Sequence, residues 1–290
     1  MNIEESLAAA PYGRTEKLTP LIRRVLAHNP SHFTFTGTGT YIVGEGRVAI
    51  VDPGPDLDEH VEALLHAVRG ETVTDLVITH THIDHSPAAR AVAAATGARI
   101  VGCAPLAIAD TGPRADASFD ALHAPDAVMA DGDTLEGPGW TLSAVATPGH
   151  TSNHLCFALA EEKALFSGDH VMGWSTSVVA PPDGDMRAYL DSLRKVGERD
   201  EQIFYPTHGP AIEDPQRLVR GLIAHRRQRE AQILRLLRTG PMAIPQMVES
   251  MYAAVDPALW PAAGRSVLAH LIDLESRGDV RRDGVQWRTA

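Results

Sequence analysis

Short apolar runs that end abruptly in a polar residue recur along the first two thirds of the chain. Residues 76–79 (Leu-Val-Ile-Thr) form the clearest run, and their composition predicts a short buried strand. Residues 140–147, 164–168 and 203–207 show the same design, in which apolar residues lead to a turn or a small residue. The pattern predicts an α/β protein whose strands deliver polar side chains at their carboxyl ends.

Helical periodicity dominates the remainder of the chain. Residues 215–238 carry leucines and isoleucines at three- and four-residue spacing, which predicts one long helix. After a Gly-Pro punctuation, residues 243–254 and 264–276 predict two shorter helices, and residues 278–287 predict a closing hairpin. The chain is therefore expected to have three parts: a catalytic domain at 1–212, a connecting basic helix at 213–240 and a small tail at 241–290.

The polar residues after the first run have the chemistry of a metal site. Residues 80–85 (His-Thr-His-Ile-Asp-His) place three imidazoles and one carboxylate within six residues. Alternation along an extended backbone sends His80 and His82 to the same side. A turn at the next residue then lets Asp84 and His85 face a second point nearby. This geometry suits two metal ions rather than one.

Three more metal-binding side chains follow the other three runs. His150 comes after Thr-Pro-Gly, Asp169 after Ser-Gly, and His208 lies between Thr and Gly. Each alone would more often be a structural or surface residue, but as a set after the first cluster they indicate ligands. Imidazole and carboxylate donors suit zinc, and the same set can hold iron or manganese.

In this order the residues resemble the motif of the metallo-β-lactamase superfamily, which is H-x-H-x-D-H followed by His, Asp and His. The resemblance covers about residues 20–215 and implies an αββα sandwich with a metal site along one sheet edge. It implies two ligand sets bridged by Asp169: His80, His82 and His150 for one metal, and Asp84, His85 and His208 for the other. Asp52, at the end of an earlier apolar run, matches the supporting aspartate of the family.

The ligand types predict a hydrolytic chemistry with two zinc ions per chain. Two metals that lie close together share a hydroxide whose proton is lost near neutral pH, and this hydroxide attacks a carbonyl or a phosphoryl group. Asp84 is the expected catalytic residue, because it can bind metal and also orient or deprotonate the water.

Departures from particular branches of the family narrow the substrate. Asp169 stands where the familiar two-zinc β-lactamases carry cysteine, which argues against antibiotic hydrolysis. His82 stands where flavodiiron proteins carry glutamate, which disfavours a redox di-iron centre. The segment between Asp169 and His208 is too short for the large inserted domain of the nucleases that process RNA 3′ ends.

The tail resembles the winged-helix tail of one branch of this superfamily. That branch includes an animal endoribonuclease acting on single-stranded RNA and fungal enzymes that release polyketides from carrier proteins by thioester hydrolysis. A DNA-reading winged helix needs a basic recognition helix, but residues 241–290 hold more acids than arginines. The tail is therefore interpreted as a lid, a packing element or a dimer element.

Composition fits a globular enzyme rather than a protein that coats nucleic acid. Hydrophobic residues make up 44% and charged residues 22% of the 290 residues, and the net charge is −11. No apolar run approaches the ~20 residues of a membrane span. The first residues lack the order of a secretory signal, so we expect a cytoplasmic location. Cys103 and Cys156 are predicted to be buried free thiols.

A few residues are weak candidates for substrate contact. The arginines of helix 215–238 suit either a phosphate-binding face or a solvated face, and the sequence favours the second. Arg226 and Arg229 are the strongest candidates among them. Trp174 suits stacking on a base or lining an acyl channel, and core packing explains it equally well. The polar loop 110–125 is a further candidate wall of the pocket.

Three functions remain open at this point. The leading one is a dinuclear zinc hydrolase acting on a small or carrier-bound ester, thioester or lactone. The second is a metal-dependent endoribonuclease on single-stranded RNA. The third is a mononuclear iron dioxygenase acting on sulfur compounds, since relatives of this fold use the same motif in that way. A second copy of the chain, as in a homodimer, is a further candidate partner.

Overall fold

Two mixed β-sheets lie face to face in the computed structural model, which describes residues 3–106 and 118–290. The first sheet has seven strands in sequence order. They are β1 Thr15–Lys17, β2 Ile22–Leu26, β3 Gly39–Glu45, β4 Arg47–Val51, β5 Thr72–Ile78, β6 Arg99–Gly102 and β7 Ala127–Val128. The second sheet has the order β12-β11-β10-β9-β8. Its strands are β8 Thr134–Gly137, β9 Trp140–Ala146, β10 Leu155–Leu159, β11 Ala164–Gly168 and β12 Ile203–Pro206.

Helices flank the sheets and continue into the tail. They are α1 Ile3–Ala8, α2 Asp58–Ala67, α3 Ala88–Thr96, α4 Met186–Gly197, α5 Pro215–Leu237, α6 Ile244–Met251 and α7 Trp260–Ser276. Two short 3-10 helices occupy Ala160–Glu162 and Pro257–Leu259.

Alternate residues of the second sheet contribute to two different cores. Phe157 and Leu159 of β10 are fully buried on the face toward the first sheet, and the same core extends through that sheet to Leu64 of α2. Cys156 and Ala158 are buried on the opposite face, against α4 and α5. Since side chains alternate along a strand, burial of both faces explains why β10 is apolar throughout. Helices outside two packed sheets make the αββα sandwich, so the predicted fold class is confirmed.

The carboxyl ends of five strands meet at one edge of the sandwich. β4 and β5 are parallel neighbours in the first sheet, and β11 and β12 are parallel neighbours in the second. β9 runs in the direction of β11, because both are antiparallel to β10. The backbone N–H of Leu155 donates to the carbonyl oxygen of Thr79 at 2.8 Å and joins the two sheets at this edge. Every residue predicted as a metal ligand follows one of these strand ends.

The tail has a core and a small sheet of its own. Strands β13 Met242–Ala243, β14 Val280–Asp283 and β15 Gln286–Thr289 form the sheet, in the order β13-β15-β14. Trp287 packs with α7 and with Ile233 of α5. The predicted helices and hairpin are confirmed, although α6 ends earlier and α7 begins earlier than predicted. β13 was missed, because a strand of two residues has no periodicity to detect.

Both cysteines are buried free thiols, as predicted. Burial raises the pKa of Cys156 to about 12 and that of Cys103 well above its usual value. Among the described residues, no helix is long and apolar enough to cross a bilayer. The cytoplasmic location stays a prediction.

Candidate metal centre

Seven side chains from the strand ends come together in two groups. Within each group, the donor atoms all lie within 4.8 Å of one another. The first group contains His80, His82, His150 and Asp169, and the second contains Asp84, His85 and His208. The residues that the sequence singled out as metal ligands are therefore neighbours in space.

Three ring nitrogens converge in the first group. Nδ1 of His82 lies 2.9 Å from Nε2 of His80 and 3.1 Å from Nε2 of His150. Oδ2 of Asp169 lies 3.7 Å from the same Nε2 of His150. All four side chains are buried, so their donor atoms face one another rather than bulk water.

The other oxygen of Asp169 faces the second group. Its Oδ1 lies 3.4 Å from Nε2 of His208 and 3.6 Å from Nε2 of His85. Oδ2 of Asp84 lies 3.1 Å from Nε2 of His208 and 3.7 Å from Nε2 of His85. A carboxylate with one oxygen toward each group has the geometry of a ligand that bridges two metals.

Two glycines allow the chain to turn sharply into the site. Gly168, at the end of β11, has φ 51°, and a Cβ atom there would lie 2.6 Å from Nε2 of His154. Gly149 has φ 142°, and a Cβ atom there would lie 2.3 Å from the Cα atom of Tyr189. A side chain at either position would displace the residue that follows, Asp169 or His150.

Carbonyl groups fix the tautomer of two histidines. Nδ1 of His150 lies 2.6 Å from the carbonyl oxygen of Val178, and Nδ1 of His208 lies 3.2 Å from that of Gly37. Because a carbonyl oxygen only accepts hydrogen bonds, Nδ1 carries the proton in both rings. Nε2 is therefore the nitrogen that each ring directs into the cluster.

Asp52 lies fully buried beneath the cluster and orients residues of both groups. Its Oδ1 accepts from the backbone N–H of Thr79 at 2.9 Å. Its Oδ2 accepts from the Thr79 hydroxyl at 2.8 Å, the Thr207 hydroxyl at 3.0 Å and Nδ1 of His85 at 2.8 Å. The Thr79 hydroxyl oxygen also lies 3.1 Å from Nδ1 of His80 and can accept a hydrogen bond from the N–H group there. Asp52 thus contacts the candidate ligand His85 directly and reaches His80 through Thr79, but it belongs to neither group of donor atoms.

The two groups differ in their electrostatics. Burial lowers the pKa of His80 well below its usual value, and neighbouring imidazoles lower it further. Burial acts in the same direction on His85 and His208, but the carboxylates of Asp169 and Asp84 outweigh it and raise the pKa of both. Burial opposes the charge of these two carboxylates as well, yet the histidines hold the pKa of each below its usual value. The second group therefore stabilises positive charge.

Several buried atoms of the cluster lack a hydrogen-bond partner. Within residues 3–106 and 118–290, Nε2 of His85, Nε2 of His208 and Oδ1 of Asp169 form no hydrogen bond of normal geometry. An unsatisfied buried polar group costs about 1–3 kcal/mol. A divalent cation satisfies such atoms, and a set of imidazoles and carboxylates fits zinc, iron or manganese. The side chains present therefore fit a metal centre.

A cavity of about 530 Å³ opens onto the cluster. Trp174, Arg226 and Arg229, the predicted candidates for substrate contact, all line it. The Trp174 ring stacks on Phe35, with ring centroids 5.1 Å apart. The Arg229 guanidinium lies over the ring of Tyr252, 4.6 Å from its centroid.

The sequence analysis offered a lid as one role of the tail but identified no tail residue that lines the cavity. The structure shows that Tyr252, Leu259, Ala263 and Ser266 line it. No periodic signal distinguishes such residues from ordinary tail packing. Of the predicted wall at 110–125, residues 110–117 lie outside the described part of the chain.

Comparison with sequence families identifies this arrangement. The description "metallo-beta-lactamase superfamily" matches residues 34–208, which is more than half of the chain. The chain belongs to the metallo-β-lactamase superfamily. A second description, "beta-lactamase associated winged helix domain", matches residues 243–287. The predicted family and its branch with a winged-helix tail are both confirmed.

Curated relatives and solved structures agree with this assignment. A β-lactamase-like protein 2 homolog of Caenorhabditis elegans is 35% identical over 227 residues, covering 77% of this chain and 73% of the relative. An atrochrysone carboxyl ACP thioesterase of Aspergillus chevalieri is 31% identical over 267 residues, covering 84% and 77%. A β-lactamase domain protein from Burkholderia ambifaria shares the fold, with a TM-score of 0.79 at 19% identity over 97% of this chain and 94% of that one. This metallo-β-lactamase superfamily member is a hydrolase.

Proposed function

We propose that this hydrolase cleaves thioesters of small or carrier-bound acyl groups, and related esters or lactones, at a centre of two zinc ions. The observation that carries the proposal is the cavity, in which five of the seven cluster residues face apolar walls. Two walls suit an acyl group, one with Met172 and Trp174 and one with Val255 and Leu259. The thioesterases among the relatives support the same substrate class.

The proposed ligand sets follow the two groups of donor atoms. His80, His82 and His150 would hold one metal, Asp84, His85 and His208 would hold the other, and Asp169 would bridge them. Two bound zinc ions would lower the pKa of a water molecule and stabilise negative charge on the carbonyl oxygen of the substrate. Iron and manganese are the alternative occupants that the same donors accept.

Asp84 is proposed to orient the attacking water. His85 and His208 hold its pKa below the usual value, so it remains a carboxylate at neutral pH. Its Oδ1 is buried and has no hydrogen-bond partner among the described residues, so this oxygen is available to accept from water. A carboxylate with a low pKa is a weak base, and we therefore favour orientation over proton storage as its role.

The cavity walls are proposed to bind the acyl group and to exclude bulk water. Trp174 offers an aromatic face held in place by Phe35, and Tyr252 offers a second one from the tail. Arg226 and Arg229 lie on the same side as Tyr252 and are proposed to contact the substrate. In this interpretation the tail is a fixed wall of the substrate site rather than a nucleic-acid reader.

Cleavage of single-stranded RNA is the second candidate function. The two arginines in the cavity favour it, because guanidinium groups bind phosphate. The acidic net charge of −11 and the apolar walls favour the thioester. A mononuclear iron dioxygenase is the third candidate, and metal content together with oxygen consumption distinguishes it.

We further propose a domain division at 1–212, 213–240 and 241–290. Separate hydrophobic cores in the sandwich and in the tail support it. Helix α5 contributes to both sides, through Val219 and Leu222 to the sandwich and through Ile233 and Leu237 to the tail. A homodimer stays a prediction, and analytical ultracentrifugation tests it.

Hydrolysis of a simple acyl thioester by zinc-loaded protein tests the proposed function. Thiol release should depend on the metal and should be lost in Asp84→Ala, whose folding is checked by circular dichroism. Restoration by zinc after chelation separates metal loss from damage to the protein. Thiol release that persists at full rate in Asp84→Ala would contradict the proposed site.

A further inference from the structure

Two arginines of α5 face the cavity without a carboxylate partner. Arg226 is only 4% exposed and Arg229 is half-buried, and both line the same cavity as the metal cluster. Among the residues that the structure describes, no carboxylate oxygen lies within 4.0 Å of either guanidinium. Glu230, the one acid of the helix, pairs instead with Arg277 at 2.9 Å. A buried charge without a counter-ion is strongly unfavourable, so this arrangement needs an explanation.

The contacts of Arg226 leave donor capacity unused. One terminal nitrogen donates to the carbonyl oxygen of Ser177, and the other lies 3.4 Å from the hydroxyl of Ser266. Its Nε is buried and has no hydrogen-bond partner in the described chain. The Tyr189 ring, 5.3 Å from the guanidinium carbon, provides a cation–π contact but no negative charge.

Hydrogen-bond donors also outnumber acceptors around Arg229 and His225. Arg229 donates to Gln232 at 3.0 Å and lies 3.4 Å from the carbonyl oxygen of Met251, both of which are uncharged acceptors. Its Nε donates to Nε2 of His225 at 3.3 Å, and Nδ1 of that ring is buried without a partner in the described residues. Burial lowers the pKa of His225, and the positive charges of Arg226 and Arg229 lower it further. This side of the cavity is therefore positively charged and short of acceptors.

We infer that Arg226, Arg229 and His225 form an anion-binding subsite in the wall of the substrate cavity. The ligand is an anionic group of the substrate, a carboxylate or a phosphate, held apart from the scissile thioester. Such a group would supply the missing negative charge, and a guanidinium can bind its oxygens in pairs. The inference rests on the proposed function and adds the substrate class, which is an acyl thioester that carries a second, anionic group.

Three thioesters with the same reactive bond test the subsite. Butyryl-N-acetylcysteamine is neutral, glutaryl-N-acetylcysteamine carries a carboxylate on the acyl side, and butyryl-phosphopantetheine carries a phosphate on the thiol side. kcat/KM is measured for each with zinc-loaded wild type, Arg229→Gln and Arg229→Lys. Arg227→Gln is the matched control, because Arg227 is an exposed neighbour on the same helix that does not line the cavity.

The wild type should prefer at least one anionic thioester over the neutral one by about tenfold or more, as charge-assisted hydrogen bonds predict. The preferred compound identifies the anion as carboxylate or phosphate. Arg229→Gln should lose the preference, Arg229→Lys should keep part of it, and Arg227→Gln should keep all of it. Equal kcat/KM for the three compounds, or a preference that survives Arg229→Gln, would overturn the subsite but not the hydrolase.

Failure of the proposed function gives a different result. If none of the three thioesters is cleaved, the thioesterase proposal is wrong. The subsite is then tested by the binding of simple anions. Glutarate and methyl phosphate are titrated into zinc-loaded wild type and Arg229→Gln by calorimetry. Binding of one anion that weakens about tenfold or more in the variant supports the subsite, and equal affinities overturn it.

Discussion

Replacement of Asp52 by asparagine should weaken metal binding without touching a metal ligand. The Asp52 Oδ2 atom accepts three hydrogen bonds, from the hydroxyls of Thr79 and Thr207 and from Nδ1 of His85. Its Oδ1 accepts from the backbone N–H of Thr79. An asparagine amide has one oxygen and one NH2 group in place of the two carboxylate oxygens. In either orientation of the amide, its NH2 group faces hydrogen-bond donors instead of acceptors. The buried network therefore cannot be fully satisfied. The hydrogen bond that holds the His85 ring is either lost or made to a neutral amide oxygen instead of a carboxylate.

The size of the effect follows from the contacts that are lost. A hydrogen bond to a charged acceptor contributes about 1.5–3 kcal/mol, which corresponds to about ten- to hundredfold in a binding constant. Mutation of residues that support metal ligands in other proteins typically lowers metal affinity by about 10- to 100-fold, which agrees with this figure. We expect a loss of this size in Asp52→Asn for the metal held by Asp84, His85 and His208. The other metal should be affected less, because Asp52 reaches His80 only through Thr79.

Competition with a chromophoric chelator measures the zinc affinities of wild type and Asp52→Asn. Asp75→Asn is the matched control, because Asp75 is a buried carboxylate on β5, the strand next to β4, and pairs with Arg99 instead of the cluster. Melting temperatures of the metal-free proteins separate a general loss of stability from a loss of metal binding. Equal zinc affinities for wild type and Asp52→Asn would refute the role assigned to Asp52.

Four further outcomes are expected. Zinc binding at pH 7 should release protons, because the raised pKa of His85 and His208 favours the protonated rings in the absence of metal, and metal binding requires deprotonated nitrogen. Calorimetric heats that do not vary with the ionisation enthalpy of the buffer would contradict this. Asp169→Asn should lose thioester hydrolysis while its circular dichroism stays native, and retained turnover would rule out a bridging role. Ala263→Trp should lower kcat/KM more for a long acyl thioester than for an acetyl thioester, because Ala263 lines the cavity; an equal loss for both would place the acyl group elsewhere. Both cysteine thiols should resist a thiol reagent at pH 8 until the protein is unfolded, since burial raises the pKa of each; rapid modification of the native protein would contradict their burial.

The sequence was sufficient to predict the sandwich and the neighbourhood of the seven donor residues. Each donor follows an apolar strand, and parallel strands bring their carboxyl ends to the same edge of a sheet. The partners of Asp52 were not predictable, because Thr79 and Thr207 look like ordinary strand-end residues in the sequence. Only the packing of the two sheets brings both hydroxyls to Asp52. The structure shows that the Thr207 hydroxyl crosses from one sheet to the other to reach Asp52.

The environment of Arg226 was detectable but was not recognised from the sequence. It lies four residues after Leu222 and seven before Ile233, which puts it on the apolar stripe of α5. An arginine in that register is expected to be buried, as the structure shows. The total of arginines in the helix concealed this position, because most of the others lie on exposed faces. The tail wall was not detectable, since contact of Tyr252 and Ser266 with the cavity depends on how the tail packs against the sandwich.

The most direct test of the central claim offers one zinc-loaded preparation both an acyl thioester and a labelled single-stranded RNA. The account predicts thioester hydrolysis that disappears on chelation and returns with zinc, while the RNA stays intact. The contradicting result is RNA cleavage that needs the metal, disappears in Asp84→Ala and occurs without any thioester hydrolysis. That result would make this protein a nuclease.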